Sequence, residues 1–136
     1  MQPFHAISDY ESAERFWGKR SKYSYAWRSL LESGAMLIFG TDAPVESPDP
    51  LAALQAAVIR ENWNDKDQVI SAFQALQAYT YYPALASGEE QEKGTLETGK
   101  LADLVILSED PFQTQFRGVK VAGTMIDGEF VYRDFE

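Results

Sequence analysis

The run Ala35-Met36-Leu37-Ile38-Phe39, followed by Gly40-Thr41-Asp42-Ala43-Pro44, constrains this chain more than any other stretch. An apolar run of this length without a charge reads as a strand buried on both faces, the kind found in parallel sheets. Such sheets carry chemistry at their C-terminal ends. Gly40 permits a sharp turn out of the strand, and Pro44 prevents the strand from continuing. Asp42 therefore faces whatever site the end of the sheet forms. An aspartate at a strand end also accepts hydrogen bonds from the turn that follows it, so the motif alone leaves both roles open.

The flanking sequence predicts alternation of helix and strand. Ser8-Asp9-Tyr10-Glu11 has the form of a capping box, so a short helix is expected there, interrupted by Gly18. From Ser24 to Ser33, the residues Tyr23, Trp27, Leu30 and Leu31 have helical spacing, and Gly34 closes that helix ahead of the strand. Asp49-Pro50 supplies an N-cap and a first-turn proline for a helix from Leu51 to Trp63 with Leu51, Leu54, Val58 and Ile59 on one face. Ser71 and Gln74 form a second capping box ahead of Phe73, Leu76 and Tyr79. Thr80 is expected to cap a further turn ended by Gly88.

Beyond the acidic stretch Glu89-Glu90-Gln91-Glu92, which reads as a hinge, glycines punctuate short β-rich runs: Asp103 to Leu107, Lys120 to Asp127 and Glu129 to Arg133. Asp127-Gly128 between two such runs is a hairpin signal. The expected fold class is thus α/β then β, divided into residues 1–90 and 91–136.

Composition narrows the function. With 136 residues, 45% of them hydrophobic, the chain can bury a core. It has no run of about 20 apolar residues for a membrane span. No leader marks it for secretion, and the absence of cysteine removes disulfides and thiolate sites, which fits a cytoplasmic setting. A net charge of −9 argues against nucleic acid as a partner. The cluster Arg15, Lys19, Arg20, Lys22 and Arg28 lies among acids, aromatics and serines, as on a solvated helix face. Trp17, Tyr23, Tyr25 and Trp27 suit either a substrate entrance or a core stripe, and core is the commoner use.

Three separated stretches resemble the metal-dependent amidohydrolases, in their N-substituted formamide deformylase-like branch. They are Gln2-Pro3-Phe4-His5 with Asp9, then Gly40-Thr41-Asp42-Ala43-Pro44-Val45, and lastly Ala78-Tyr79-Thr80 with Gly94 to Leu107, Val121, Thr124, Asp127-Gly128 and Val131-Tyr132. The last stretch resembles the C-terminal signature of the family, and the resemblance covers essentially the whole chain. It implies the last β/α units of a TIM-type (β/α)8 barrel followed by the C-terminal strands of a small β-sandwich, with the barrel incomplete in this chain.

By that resemblance, Asp42 is both metal ligand and general base at the end of the eighth barrel strand. His5 and Gln2, at the end of the seventh, touch substrate. His5 taken alone also reads as a surface histidine near a chain terminus. Asp103 falls in the sandwich, where it is expected to bond turn amides. The implied cofactor is a divalent metal, zinc, in the intact protein. The implied substrate is a small-molecule amide, hydrolysed at a non-peptide C–N bond.

The paired histidines and other ligands of the family have no counterpart here, and the chain has a single histidine. A catalytic zinc normally keeps three protein ligands. The fragment alone is therefore expected to hold no cofactor and to be inactive, its partner being the missing N-terminal part of the barrel. Uncovered edges are expected to drive self-association. The alternative is a stand-alone binding or assembly module that retains the fold remnant.

Overall fold

The computed structural model describes residues 1–63 and 66–135. Helices α1 (His5–Ser8) and α2 (Tyr10–Trp17), a 3-10 turn (Gly18–Tyr23) and α3 (Trp27–Glu32) lead into the segment 35–40. Then come α4 (Pro50–Ile59), α5 (Ala72–Tyr79), α6 (Tyr81–Ser87), β1 (Leu104–Leu107), α7 (Pro111–Thr114), β2 (Val121–Ile126) and β3 (Glu129–Arg133). Among the described residues no helix is long and apolar enough to cross a membrane.

Segment 35–40 joins none of the sheet's strands, yet it keeps a strand's period of two. Leu37 and Phe39 are buried, whereas Met36 is 50% and Ile38 37% exposed. The expectation of burial on both faces is thus corrected, because only the face toward the helices has neighbours in this chain. On that face Phe39 lies against Trp27 and Tyr79, with ring centroids 6.1 and 5.7 Å apart, and its amide donates to Ala78 O at 2.8 Å. At the segment's edge the Met1 amino group donates to Ile38 O, and Gly40 N donates to Met1 O. That pair of bonds is one rung of a parallel ladder, with Met1 opposite Phe39.

Two helix starts follow their caps. Asp49 Oδ1 accepts from Leu51 N at 2.9 Å and Ala52 N at 3.3 Å, and Ser71 with Gln74 forms the full reciprocal box. Other expectations are corrected. The Ser8 box does not form, since Ser8 Oγ donates to Glu46 Oε1 at 2.5 Å and Asp9 makes no side-chain cap. Thr80 bonds back to Leu76 O instead of capping α6, whose C-terminus Gly88 closes as expected.

Helix α3 starts at Trp27 rather than Ser24, because Tyr25 has a left-handed backbone (φ 52) that no helix accommodates. Helix α4 ends at Ile59, short of Trp63, because Arg60 is left-handed too (φ 52). Arg60 is buried, donates to Tyr25 O at 3.0 Å and Ser24 O at 2.7 Å, and lies 4.4 Å over the Trp63 ring. On α5 the core face is Ala72, Ala75 and Ala78, while Phe73 points to solvent.

At the C-terminal end, β1, β2 and β3 form one antiparallel sheet in that order. Asp127 (φ 51) and Gly128 (φ 80) make the turn that the β2–β3 hairpin requires, both residues lying in the left-handed region. Asp103 Oδ1 accepts Asp127 N at 2.8 Å, the turn-bonding role expected of it. The Glu89–Glu92 stretch is a bonded turn in which Lys100 Nζ donates to Glu90 O and Leu101 N to Glu92 O. A Cβ on Gly94 (φ +95) would lie 2.7 Å from the Ala84 Cβ, so this turn packs directly on α6. The sequence reading missed α7, whose N-cap Asp110 and first-turn Pro111 repeat the Asp49-Pro50 pattern. Just past it, the buried Phe116 joins the main core with Trp27, Leu54 and Ala75.

Candidate functional site

The turn after segment 35–40 leaves one carboxylate out of its own bonding. Asp42 has a left-handed backbone (φ 61), and its carbonyl oxygen accepts Val45 N at 2.9 Å. Ala43 N reaches the Thr41 hydroxyl at 3.4 Å. Among the described residues no amide of the turn bonds the Asp42 carboxylate. The turn-acceptor role, open in the sequence, is therefore taken by the backbone and by Thr41.

The carboxylate instead meets His5, whose Nε2 lies 3.2 Å from Asp42 Oδ2. His5 opens α1, whose first residues are turned by His5 N donating to Gln2 O and Ala6 N to Pro3 O. With its side chain 23% exposed, His5 is placed between elements rather than free on the surface. Its Nδ1 lies 3.7 Å from Asp9 Oδ2, one turn along the chain. Gln2 contributes its backbone to this turn, and no hydrogen bond takes its side chain to His5 or Asp42 among the described residues. The Ser8–Glu46 bond ties α1 to the loop beyond Asp42.

Two residues that the sequence reading left out of the site support it. The Tyr25 hydroxyl donates to Asp9 Oδ2 at 2.5 Å. Burial first, then the bond to Asp9 and its charge, push the Tyr25 hydroxyl well above the usual phenol range, so it stays a donor. The Tyr79 hydroxyl donates to Gly40 O at 3.2 Å and thereby braces the turn that carries Asp42. In the sequence this grouping left two traces, the four-residue spacing of His5 and Asp9 and their shared stretch of family resemblance, and neither reached Tyr25 or Tyr79. Of the aromatics weighed as an entrance, Trp27 is core, whereas Trp17 and Tyr23 are exposed. With Phe16, Arg20 and Tyr25 they line a groove beside Asp9.

Tyr79 gives the turn a pH signature. Burial, with a smaller contribution from the Asp49 charge, pushes its hydroxyl from the usual 10.0 up to about 12. The folded state holds the neutral phenol longer than the unfolded chain does. Its contribution is therefore fully present below pH 10 and is lost between pH 10 and about 12. Urea midpoints across that window should fall less steeply for Tyr79→Phe than for the parent, and superimposable slopes would contradict the linkage.

Among the described residues no group of three or more histidine, aspartate or glutamate side chains is arranged to hold a metal ion. His5 and Asp42 face each other at hydrogen-bond distance, and Asp9 is turned to the far side of the imidazole. The residues present do not by themselves fit the implied divalent cofactor.

Comparison with known proteins matches residues 1–132 to the amidohydrolase family. N-substituted formamide deformylase of Arthrobacter pascens is 34% identical over 112 residues, which cover 77% of this chain and 21% of that protein. Protein LONG AFTER FAR-RED 3 of Arabidopsis thaliana is 35% identical over 141 residues, covering 97% of this chain and 24% of that protein. Among solved structures, an uncharacterized metal-dependent hydrolase from Pyrococcus horikoshii OT3 is 34% identical with a TM-score of 0.73, covering 88% of this chain and 26% of that one. The chain spans about a quarter of the length of the curated relatives it matches.

Proposed function

The chain belongs to the amidohydrolase family, and on that premise we propose that it is the C-terminal part of a metal-dependent hydrolase of small-molecule, non-peptide amides. In this reading residues 1–90 carry the end of the seventh barrel strand, the eighth strand and the closing helices. Residues 91–136 supply strands of a β-sandwich. The single rung between Met1 and Phe39 supports the pairing of strands seven and eight. The observation that carries the function is the Asp42 carboxylate, withheld from its own turn and met by His5.

The chemistry of these residues is that of amide hydrolysis. Asp42 accepts a proton as water oxygen bonds to the amide carbonyl carbon. It then returns that proton to the nitrogen as the C–N bond breaks, leaving a carboxylic acid and an amine. His5, whose Nε2 lies 3.2 Å from Asp42 Oδ2, would steady the carbonyl oxygen as it gains charge, and Gln2 would contact the substrate. A divalent ion, zinc, supplies Lewis acidity when bound. We assign Asp42 as one of its ligands, the others coming from outside this chain.

The 136-residue chain alone is expected to retain no stoichiometric zinc through gel filtration and to hydrolyse no N-substituted formamide. Co-expression with the remaining barrel segment of a relative should restore both. Tight zinc in the isolated chain would refute the incomplete donor set. A metal-free, inactive complex would refute the assignment of function.

A further inference from the structure

Asp9 points its carboxylate away from the helix that follows it. It sits at the junction of α1 and α2 with a helical backbone (φ −86, ψ −7), so its carboxylate is not turned back onto the first amides of α2. Here it makes no side-chain cap, and its Oδ2 faces the Tyr25 hydroxyl at 2.5 Å and His5 Nδ1 at 3.7 Å.

Tyr25 in turn reaches Asp9 from a left-handed backbone (φ 52), a conformation unfavourable for a bulky residue. Buried Arg60 holds that backbone in place through the Tyr25 and Ser24 carbonyls. The ring is fixed as well, with centroids 5.8 Å from Trp27 and 5.7 Å from Trp63. Trp63 Nε1 also donates to Ala6 O at 2.7 Å, which anchors α1 next to His5. A left-handed backbone at Tyr25, a buried cation and a carboxylate free of any helix cap thus converge on one imidazole.

We propose that Asp9, steadied by Tyr25, is the positioning residue that holds the His5 imidazole with Nε2 on Asp42. The inference deepens the reading of Asp42 and His5 as the site and rests on it for its purpose. The Asp9 carboxylate attracts the Nδ1 edge of the ring, and the Tyr25 hydroxyl fixes where that carboxylate stands. Ring rotation about χ1 then breaks two contacts rather than one.

His5 is the only histidine of the sequence, so its NMR signals are unambiguous. Three-bond couplings to its Cβ protons in the isolated chain read the χ1 rotamer directly, at fixed pH. The parent should show one rotamer, Asp9→Ala rotamer-averaged couplings, and Tyr25→Phe a smaller shift in the same direction. Asp9→Asn should recover part of the parent pattern, since its amide oxygen still accepts from the Tyr25 hydroxyl. Averaged couplings in the parent, or parent-like couplings in both Asp9→Ala and Tyr25→Phe, overturn the proposal. A role in stability alone would lower the unfolding midpoint and leave the couplings parent-like, which is the second of those outcomes. If Asp9→Ala loses its fold, Tyr25→Phe decides by itself, because it keeps the ring against Trp27 and Trp63. Neither metal nor substrate enters this measurement, so its failure and a failure of the hydrolase reading are separately visible.

Discussion

Asp42→Asn, introduced into this chain and assembled with the remaining barrel segment, is expected to lower kcat for amide hydrolysis by about 10²–10⁴-fold. Asparagine keeps the size of the side chain and an oxygen, and the left-handed backbone at φ 61 tolerates it, so the turn should persist. What it cannot do is take the proton of the attacking water. In the role proposed for Asp42 the substitution would remove a function exercised in the transition state, so kcat and kcat/KM should fall together. Glu46→Gln is the matching control. Glu46 is a carboxylate four residues on that bonds Ser8 rather than His5, and its loss should change kcat less than tenfold. A drop below tenfold for Asp42→Asn, or equal losses for both variants, would remove Asp42 from the chemistry.

The largest effect on stability is expected at Trp27. Its side chain is 0% exposed and sits between Tyr25, Phe39 and Arg60. Truncating a buried tryptophan to alanine costs about 3–5 kcal/mol through lost transfer energy and the cavity left behind. Small domains have only about 5–15 kcal/mol in total. Trp27→Ala should therefore be largely unfolded at 37 °C, and urea unfolding at lower temperature should show a midpoint far below that of the parent. Trp27→Phe, which still meets Phe39, should fall between them. A Trp27→Ala midpoint within about 1 kcal/mol of the parent would mean that the core is organised elsewhere. The same cavity would loosen Tyr25, linking core packing to the posture of Asp9 and His5.

Much of this architecture is local and so could be read from the chain. Asp49 before Pro50, Ser71 with Gln74, and Asp127-Gly128 each act on amides within a few residues, and each forms the structure expected of it. Asp42 could be singled out because a strand end and a turn place it whatever surrounds them. The features that escaped depend on distant residues. The Ser8 capping box fails because Glu46, 38 residues away, takes the hydroxyl. The start of α3 is displaced because Arg60, 35 residues from Tyr25, holds a left-handed backbone there. The pairing of Asp9 with Tyr25 spans 16 residues and has no spacing rule behind it. The one-sided burial of segment 35–40 reflects which neighbours this chain supplies, something that an apolar run does not encode. By contrast α7 was legible, since Asp110-Pro111 repeats a signal recognised at Asp49-Pro50.

Anomalous diffraction at the zinc edge, from crystals of this chain assembled with the remaining barrel segment, tests the proposed role of Asp42 directly. A peak is expected at coordination distance from an Asp42 oxygen, about 2.0–2.2 Å, with the other ligands supplied from outside this chain. A fully occupied zinc bound elsewhere, with Asp42 still turned to His5 and away from the ion, would contradict it.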